Sequence, residues 1–373
     1  MILSKKIRLF PNEDQEKLLI KSCNVARYIY NYTISKEEEN YKEGKPFIKD
    51  NDIRKEITQL KKKEEYKWLN EVSNNVAKQS VKDACIAYKN FFKGLVDKPR
   101  FKKKGKCKES FYNDDYKLKI KEESILIEKV GWIKIKPNQI QEGKHYTNPR
   151  ISYDGKYWFI SLGYEVEKVK EELSDEVIGI DVGIKALATL STGYTIKNIN
   201  KTSTMKKLEK RKKRFQRQIS RKFENNKKGK ENTKTKNIEK LIVKQKLIER
   251  RMKNIRMNQI HQETSIIVKQ KPKRIVMEEL DIQKMKKDKH LSHLLQGTSM
   301  YEFKRVLKYK CELHSIDFKT VDKHYASSKI CSCCGNRKTI LSLSTRKYVC
   351  EQCGLVIDRD LNAALNLKNY KFE

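Results

Sequence analysis

The chain has 373 residues, 37% hydrophobic and 36% charged, and 85 lysines and arginines against 48 aspartates and glutamates give a formal net charge of +37. That length supports two or three domains with sizeable cores. No apolar run approaches the roughly 18 residues of a membrane span, and the opening MILSKKIRLF lacks the longer apolar stretch and cleavage site of a secretory signal. A positive excess this large repels itself unless a polyanion neutralises it, so the expected partner is nucleic acid, bound with counterion release, and not a membrane. Lysine-rich codon usage does not explain the imbalance, because it would raise glutamate as well. The expected location is a bacterial-type cytoplasm, at the nucleoid.

Residues 3 to 10 read as a short strand ended by Pro11-Asn12, and Asn12 offers an N-cap for the helix that follows. From about 13 to 95 the pattern is helical. Val25, Tyr28, Ile29 and Tyr32 recur at three- and four-residue spacing, as do Val76, Val81, Cys85, Tyr88 and Phe92 more loosely. That spacing places at least two of Tyr28, Tyr30 and Tyr32 in the core rather than on nucleic-acid bases. KPRFKKKGK (Lys98 to Lys106) is a proline-broken basic run, and its Arg100, Lys102, Lys103 and Lys104 are candidate phosphate contacts. Tyr116 to Lys136 alternates in short stretches. Pro149 then punctuates the chain, a strand begins near Arg150, and Asp154-Gly155 marks a hairpin into KYWFISLGYEV. Strands on both sides of a helical block predict an N-terminal β-barrel carrying a helical insertion.

A charged connector, Glu167 to Glu176, leads to a second architecture. VIGID, ALATLS and YTIKNI read as three successive strands. A long basic helical region follows, with one stripe at Leu208, Phe215, Ile219 and Phe223 and another at Leu241, Ile248, Met252 and Ile255, joined by a turn at FENNKKGKENTK. Its basic faces are further candidates for phosphate contact. RIVME is a buried strand, YEFKRVLKYKCELH a helix, DFKTVD a strand, and the chain ends in a helix from about Asp360. The order β-β-β, α, β, α, β, α is that of a ribonuclease-H-like α/β core.

In such a sheet the ends of the first and fourth strands are neighbours and the last helix packs across them. Asp181, Glu278 and Asp360 can therefore converge. Gly179 and Gly183 flank Asp181 and are read as allowing a ligand close to the backbone. Glu278 competes with Glu279 and Asp281, and Asp360 with Asp358, either of which could be a helix cap. Three converging carboxylates repel one another when empty and become favourable around hard divalent cations. Two such ions would support hydrolysis of a phosphodiester.

Cys331-x2-Cys334 and Cys350-x2-Cys353 are fifteen residues apart, with a glycine next to the second cysteine of each pair. The spacing is that of a closed, structural four-thiolate zinc site in a short ribbon. Cys333 has no partner in that register, and Cys23, Cys85, Cys107 and Cys311 are scattered.

Together IGIDVGIKALATLSTG, LEKRKKRFQRQISRK, IVMEEL, HYASSKICSCCG and DRDLNAALNL, with KKIRLFPNEDQEKLL and KPRFKKKGK in the first half, resemble the TnpB proteins of bacterial insertion sequences. These are RuvC-containing relatives of type V CRISPR effectors. The resemblance implies an RNA-guided DNA endonuclease of a transposable element. It would cut double-stranded target DNA beside a short adjacent motif, with one monomer per element-encoded guide RNA. It implies a multidomain α+β chain. Residues 1–12 and 108–170 would form the wedge β-barrel and 13–107 the helical recognition domain. Residues 171–330 and 354–373 would form the RuvC core, with the zinc ribbon, 331–353, inserted. Asp181, Glu278 and Asp360 would hold two Mg2+ ions, and Cys331, Cys334, Cys350 and Cys353 one Zn2+. A nuclease-inactive, RNA-guided transcriptional regulator is the alternative within the family, and it would lack an active-site acid.

Overall fold

A computed structural model of the chain describes residues 1–228, 231–232, 235–279, 299–322, 324–342 and 345–372. It divides into two units, Met1–Val166 and Glu167–Glu373. Among the described residues no helix is long and apolar enough to cross a membrane.

The first unit starts with β1 (Ile2–Phe10) and α1 (Glu13–Lys42). Asn12 caps α1 reciprocally. Its side chain accepts from the Gln15 N–H at 2.8 Å, and the Gln15 side chain accepts from the Asn12 N–H at 3.1 Å. α2 (Asp50–Leu60), a 3-10 stretch (Glu64–Glu71) and α3 (Asn74–Phe92) complete the helical block. Leu19, Cys23 and Ile29 of α1 pack with Val76, Val81 and Cys85 of α3 and with Ile7 and Leu9 of β1 in one core. Tyr30 is buried, while Tyr28 and Tyr32 are half-buried against the same core.

Six more strands follow: β2 (Glu109–Tyr112), β3 (Lys119–Lys121), β4 (Ser124–Ile127), β5 (Gly131–Ile135), β6 (Thr147–Tyr153) and β7 (Trp158–Glu165). They form one seven-stranded sheet in the order β2-β6-β7-β1-β5-β4-β3. β2 and β3 stand at the two ends of this order, and among the described residues no ladder joins them, so a closed form of the expected barrel is not shown. β1 pairs with β7 from Ile2–Glu165 to Leu9–Trp158 but with β5 only at Leu9 and Phe10. β6 starts at Thr147 instead of near Arg150. Asn148 takes a φ of 48° and the β6–β7 register shifts there, a bulge that accommodates Pro149. Asp154 makes the expected hairpin turn, its carboxylate accepting from the N–H groups of Lys156 and Tyr157.

The second unit opens with the meander β8 (Ser174–Val182), β9 (Ala186–Leu190) and β10 (Thr195–Lys197). Two long helices follow, α4 (Ser203–Asn225) and α5 (Lys236–Lys269). Between them β11 (Lys227–Lys228) pairs with β12 (Glu231–Asn232); of the expected turn, 223–225 instead belong to α4, and 229–230 and 233–234 lie outside the described residues. Met205 and Leu208 of α4 pack on Ile248 and Met252 of α5. β13 (Pro272–Glu278), α6 (Met300–Leu313) and β14 (Asp317–Val321) come next. The small hairpin β15 (Lys347–Val349) and β16 (Val356–Asp358) leads directly into α7 (Arg359–Lys368). The main sheet has the order β10-β9-β8-β13-β14. β13 is parallel to β8 and to β14, while β9 is antiparallel to its neighbours. Ile178, Ile180, Ile275 and Met277 meet Ile260 and Ile267 of α5 and Phe303 and Leu307 of α6 on one face. The helix α7 packs on the other face, where Leu367 meets Val276 and Val321.

Candidate active site and four-cysteine cluster

Strand register places the first two acids. Ile178, Gly179 and Ile180 of β8 stand opposite Ile275, Val276 and Met277 of β13. One step further along lie Asp181 and Glu278. Side chains alternate across a strand, so Asp181 shares a face with Gly179, and Glu278 with Val276. That is the face covered by α7. The approach of α7 is extreme at Gly179: a Cβ there would lie 2.0 Å from the Ala364 carbonyl oxygen and 2.4 Å from the Lys368 nitrogen. Gly179 is thus explained by a helix, not by the ligand expected from the sequence. Gly183, with its nearest such contact at 3.5 Å, is not crowded.

The first turn of α7 separates the roles of Asp358 and Asp360. Asp358 is the N-cap, its Oδ1 accepting from the N–H groups of Asp360 at 2.9 Å and Leu361 at 3.2 Å. Asp360 lies inside the helix and is half-buried. Burial, then the charge of Glu278, then that of Asp360 raise the Asp181 carboxyl well above the ordinary carboxylate range, against a smaller opposing effect of Arg359. Burial raises Glu278 too, and Lys304 of α6 pulls it back. Lys304 also binds the neighbouring Glu279 carboxylate at 2.6 Å. Asp281 lies outside the described residues. Asp181 thus feels the charges of both Glu278 and Asp360, and the hard oxygen donors of the three acids fit divalent cations. Among the described residues, the four cysteine sulfurs gather as a set of ligand atoms all within 4.8 Å of one another.

In the cysteine set, Cys331 and Cys353 are 3.6 Å apart at sulfur, as are Cys334 and Cys350. A tetrahedral zinc with Zn–S of ~2.3 Å requires sulfurs about 3.8 Å apart, so the cluster fits a structural zinc. The two halves repeat one local design. Gly335 and Gly354 take φ of 76° and 72°, and their N–H groups donate to the carbonyls of Cys331 and Cys350 at 3.0 and 3.1 Å. Only glycine adopts that backbone cheaply, which explains the glycine beside each second cysteine. The thiols are coupled: the N–H groups of Cys353 and Gln352 pull Cys350 below the usual range, while burial and hydrogen bonds with the neighbouring thiols push Cys334 and Cys353 up. Tyr348 is fully buried between Cys331 and Cys350. Cys333 is exposed and outside the set.

Two asparagines of α7 escaped the sequence reading as functional residues. Asn362 donates to the Ile330 carbonyl at 2.7 Å and accepts from the Ser332 N–H at 3.0 Å. Asn366 donates to the carbonyls of Ser327 and Ile330 at 2.8 and 2.6 Å. Both are buried. They tie the entrance of the cysteine ribbon to the helix that carries Asp360. Their only signal in the sequence is polar residues four apart on an otherwise apolar helix face.

Of the basic-run residues, Arg100, Lys103 and Lys104 are exposed. Lys102 is not a free cation. Its ammonium lies 3.5 Å from the centre of the Tyr30 ring, and its backbone is clamped from both sides by the Asn31 side chain at 2.8 and 2.9 Å.

A family model described as "Probable transposase" (OrfB_IS605) matches residues 161–289. One described as "Cas12f1-like, TNB domain" matches residues 301–367, and one described as "Helix-turn-helix domain" (HTH_OrfB_IS605) matches residues 1–46, although here the last stretch is a strand and one long helix. An Escherichia coli (strain K12) protein named as a candidate RNA-guided DNA endonuclease, InsQ, is 28% identical, covering 97% of this chain and 90% of its own. A Streptomyces pristinaespiralis protein with the same kind of name is 27% identical, covering 97% and 87%. Among solved structures, a Cas12f1–sgRNA–target DNA complex superposes with a TM-score of 0.59 at 14% identity, covering 99% of each chain. The mini-RNA-guided endonuclease CRISPR-Cas_phi3 gives 0.52 at 10% identity, covering 98% of this chain and 92% of its own.

Proposed function

The chain belongs to the TnpB (OrfB_IS605) family, related to Cas12f, and from that premise we propose that it is an RNA-guided DNA endonuclease of an IS605-type transposable element. The observation that carries the nuclease reading is that Asp181 and Glu278 stand at the ends of adjacent parallel strands, on the face covered by α7, whose first turn carries Asp360. The strand order of the second unit supports a ribonuclease-H-like, RuvC-type core, and the first unit takes the wedge and recognition roles.

Asp181, Glu278 and Asp360 hold two Mg2+ ions. When bound, these supply an activated water and charge stabilisation for the departing 3′ oxygen. The protein's own part is to aim the three carboxylates at one place. β8 and β13 fix two of them in register, and α7, seated on Gly179, brings the third. Lys304 holds Glu279 aside, and Asp358 is engaged in capping. The four cysteines hold a structural zinc that performs no chemistry. The formal charge of +37 is neutralised largely by guide RNA and target DNA, the counterparts of the sgRNA and target DNA in the Cas12f1 complex. Arg100, Lys103 and Lys104 contact phosphates, while base pairing with the guide specifies the target. A regulator that binds without cutting would lack one of the acids, and all three are present.

The test is to purify the chain with its co-purifying RNA, sequence that RNA, and assay cleavage of a matching DNA with and without magnesium. RNA-programmed, magnesium-dependent cuts that vanish in Asp181→Ala while RNA binding persists are expected. Undiminished cleavage by Asp181→Ala would sink the active-site assignment.

A further inference from the structure

The sheet of the first unit turns one face to solvent, and none of the roles assigned above uses it. Alternation along the strands separates the two faces. Ile7 and Leu9 of β1, Ile133 and Ile135 of β5, and Ile160 and Leu162 of β7 are buried in the core. Arg8, Phe10, Trp132 and Lys134 alternate with them and are exposed. One row of paired residues crosses the exposed face: Phe10 of β1 with Lys134 of β5, Lys134 with Ser124 of β4, and Ser124 with Lys121 of β3. On the other side of β1, Arg8 pairs with Phe159 of β7. None of these residues is acidic.

Rings and cations interleave there. The Arg8 guanidinium lies 3.8 Å from the centre of the Tyr157 ring and 4.7 Å from that of Phe10. The Lys121 ammonium lies 4.7 Å from the centre of the Trp132 ring, and the Lys6 ammonium 4.0 Å from that of Phe159. These contacts leave the rings available, since Phe10 stays 37% and Trp132 39% exposed. Among the described residues Arg8, Lys121 and Lys134 have no carboxylate partner, whereas Lys17, Lys21, Lys36 and Lys67 of the helical block each have one. Large rings gathered on a solvent face mark a surface that a partner covers. A second copy of this chain does not fit, because this row carries positive charge alone and would repel itself. A single nucleic-acid strand fits, with a flat base for each ring and a phosphate for each cation.

We propose that this face is a stacking platform for an unpaired stretch of the bound RNA. Successive bases lie on Phe10 and Trp132, and the phosphates between and beside them meet Arg8, Lys121 and Lys134. Phe10 pairs with Lys134, two residues from Trp132, so the two rings are diagonal neighbours about 7–8 Å apart. Bases splayed out of a helix span such a step, and the loops and bulges of folded RNA supply them. A displaced DNA strand is also single, but it exists only while a target is open, whereas a charge of +37 calls for a resident polyanion. The inference rests on the RNA-guided reading.

The test uses the full chain in complex with its co-purifying RNA. Ultraviolet crosslinking with peptide mapping should place wild-type crosslinks at Phe10 and Trp132, on unpaired nucleotides. Phe10→Leu/Trp132→Leu keeps the face apolar and removes the rings, so affinity should fall about tenfold or more with the salt slope unchanged. Trp132→Phe, which keeps a ring, should bind nearly as the wild type does. Lys121→Gln/Lys134→Gln, at two exposed positions, should lower the salt slope by about 1.4, from ~0.7 per phosphate contact on a single strand, and keep the crosslinks. Wild-type affinity in the leucine variant, or a wild-type salt slope in the glutamine variant, overturns the platform and leaves the guided reading standing. Crosslinks from these rings to DNA instead of RNA overturn the choice of RNA. A wild-type complex containing no RNA overturns the guided reading and this inference with it.

Discussion

Gly179 and Ala364 touch so closely that no other residue fits at position 179: an added Cβ would stand 2.0 Å from the Ala364 carbonyl oxygen. Both offending atoms, that oxygen and the Lys368 nitrogen, belong to backbone, so no side chain can move away to make room. Gly179→Ala must lift α7 from the sheet. It is expected to cost about 1–3 kcal/mol or more and to abolish cleavage, because Asp360 rides on the displaced helix. Thermal denaturation and a cleavage assay on the same preparation check both effects.

The metal-free acid group predicts a pH dependence of definite sign. The folded state holds the Asp181 and Glu278 protons more tightly than the unfolded state does. Their contribution is therefore most favourable below the unfolded carboxylate range and is lost as pH rises through the raised folded values. In EDTA at neutral pH, Asp181→Asn should melt at a higher temperature than the wild type, and the gap should close near pH 4. Magnesium should raise the melting temperature of the wild type more than that of the variant. A variant less stable than the wild type in EDTA would contradict this.

Asp358 and Asp360 make opposite demands on a mutagenesis experiment. Asp358→Ala removes a helix cap and should cost about 1 kcal/mol while leaving measurable magnesium-dependent cleavage. Asp360→Asn, which removes a charge that repels Asp181, should not lower stability in EDTA and should eliminate cleavage. If the two variants exchanged these behaviours, the third acid of the site would be Asp358.

One zinc per chain is expected by metal analysis. Cys350→Ser or Cys334→Ser should lose it, whereas Cys333→Ser, at an exposed position outside the set, should retain it. Loss of zinc should also raise protease sensitivity around residues 327–358, because metal binding and folding of so small a ribbon are linked.

The basic run should divide in two. Lys103→Ala and Lys104→Ala should each weaken RNA binding and lower the salt slope by about 1 without affecting stability. Lys102→Ala should instead destabilise the first unit by about 0.5–2 kcal/mol, the scale of a cation–π contact. Chemical denaturation together with a salt titration separates the two classes.

What could be read from the residues differs with the range of the interaction. The β8–β9–β10 meander, the cysteine spacing and part of the α4–α5 stripes (Leu208, Phe215, Ile248, Met252 and Ile255, but not Ile219, Phe223 or Leu241) are short-range patterns that stand in the structure where periodicity and turn chemistry put them. Gly179 signals a close approach in the sequence but not by what, since nothing local says that a helix nearly two hundred residues later lies against it. Whether a sheet closes on itself is a long-range property of the same kind: alternation marks a strand but does not say which strand its edge meets. Lys102 carries the same side chain as Lys103 and Lys104, and only Tyr30 and Asn31 distinguish it.

Asp358 is both the last residue of β16 and the N-cap of α7. Ribbon and helix therefore share a residue and have no linker between them. A ribbon from a relative could be transplanted here only with its final strand in phase. One inserted residue at this junction would turn the start of the helix by about 100° and swing Asp360 off the face it shares with Asp181 and Glu278. The cysteine module is thus an indexing piece, and its exchange between proteins is limited by angular phase more than by sequence.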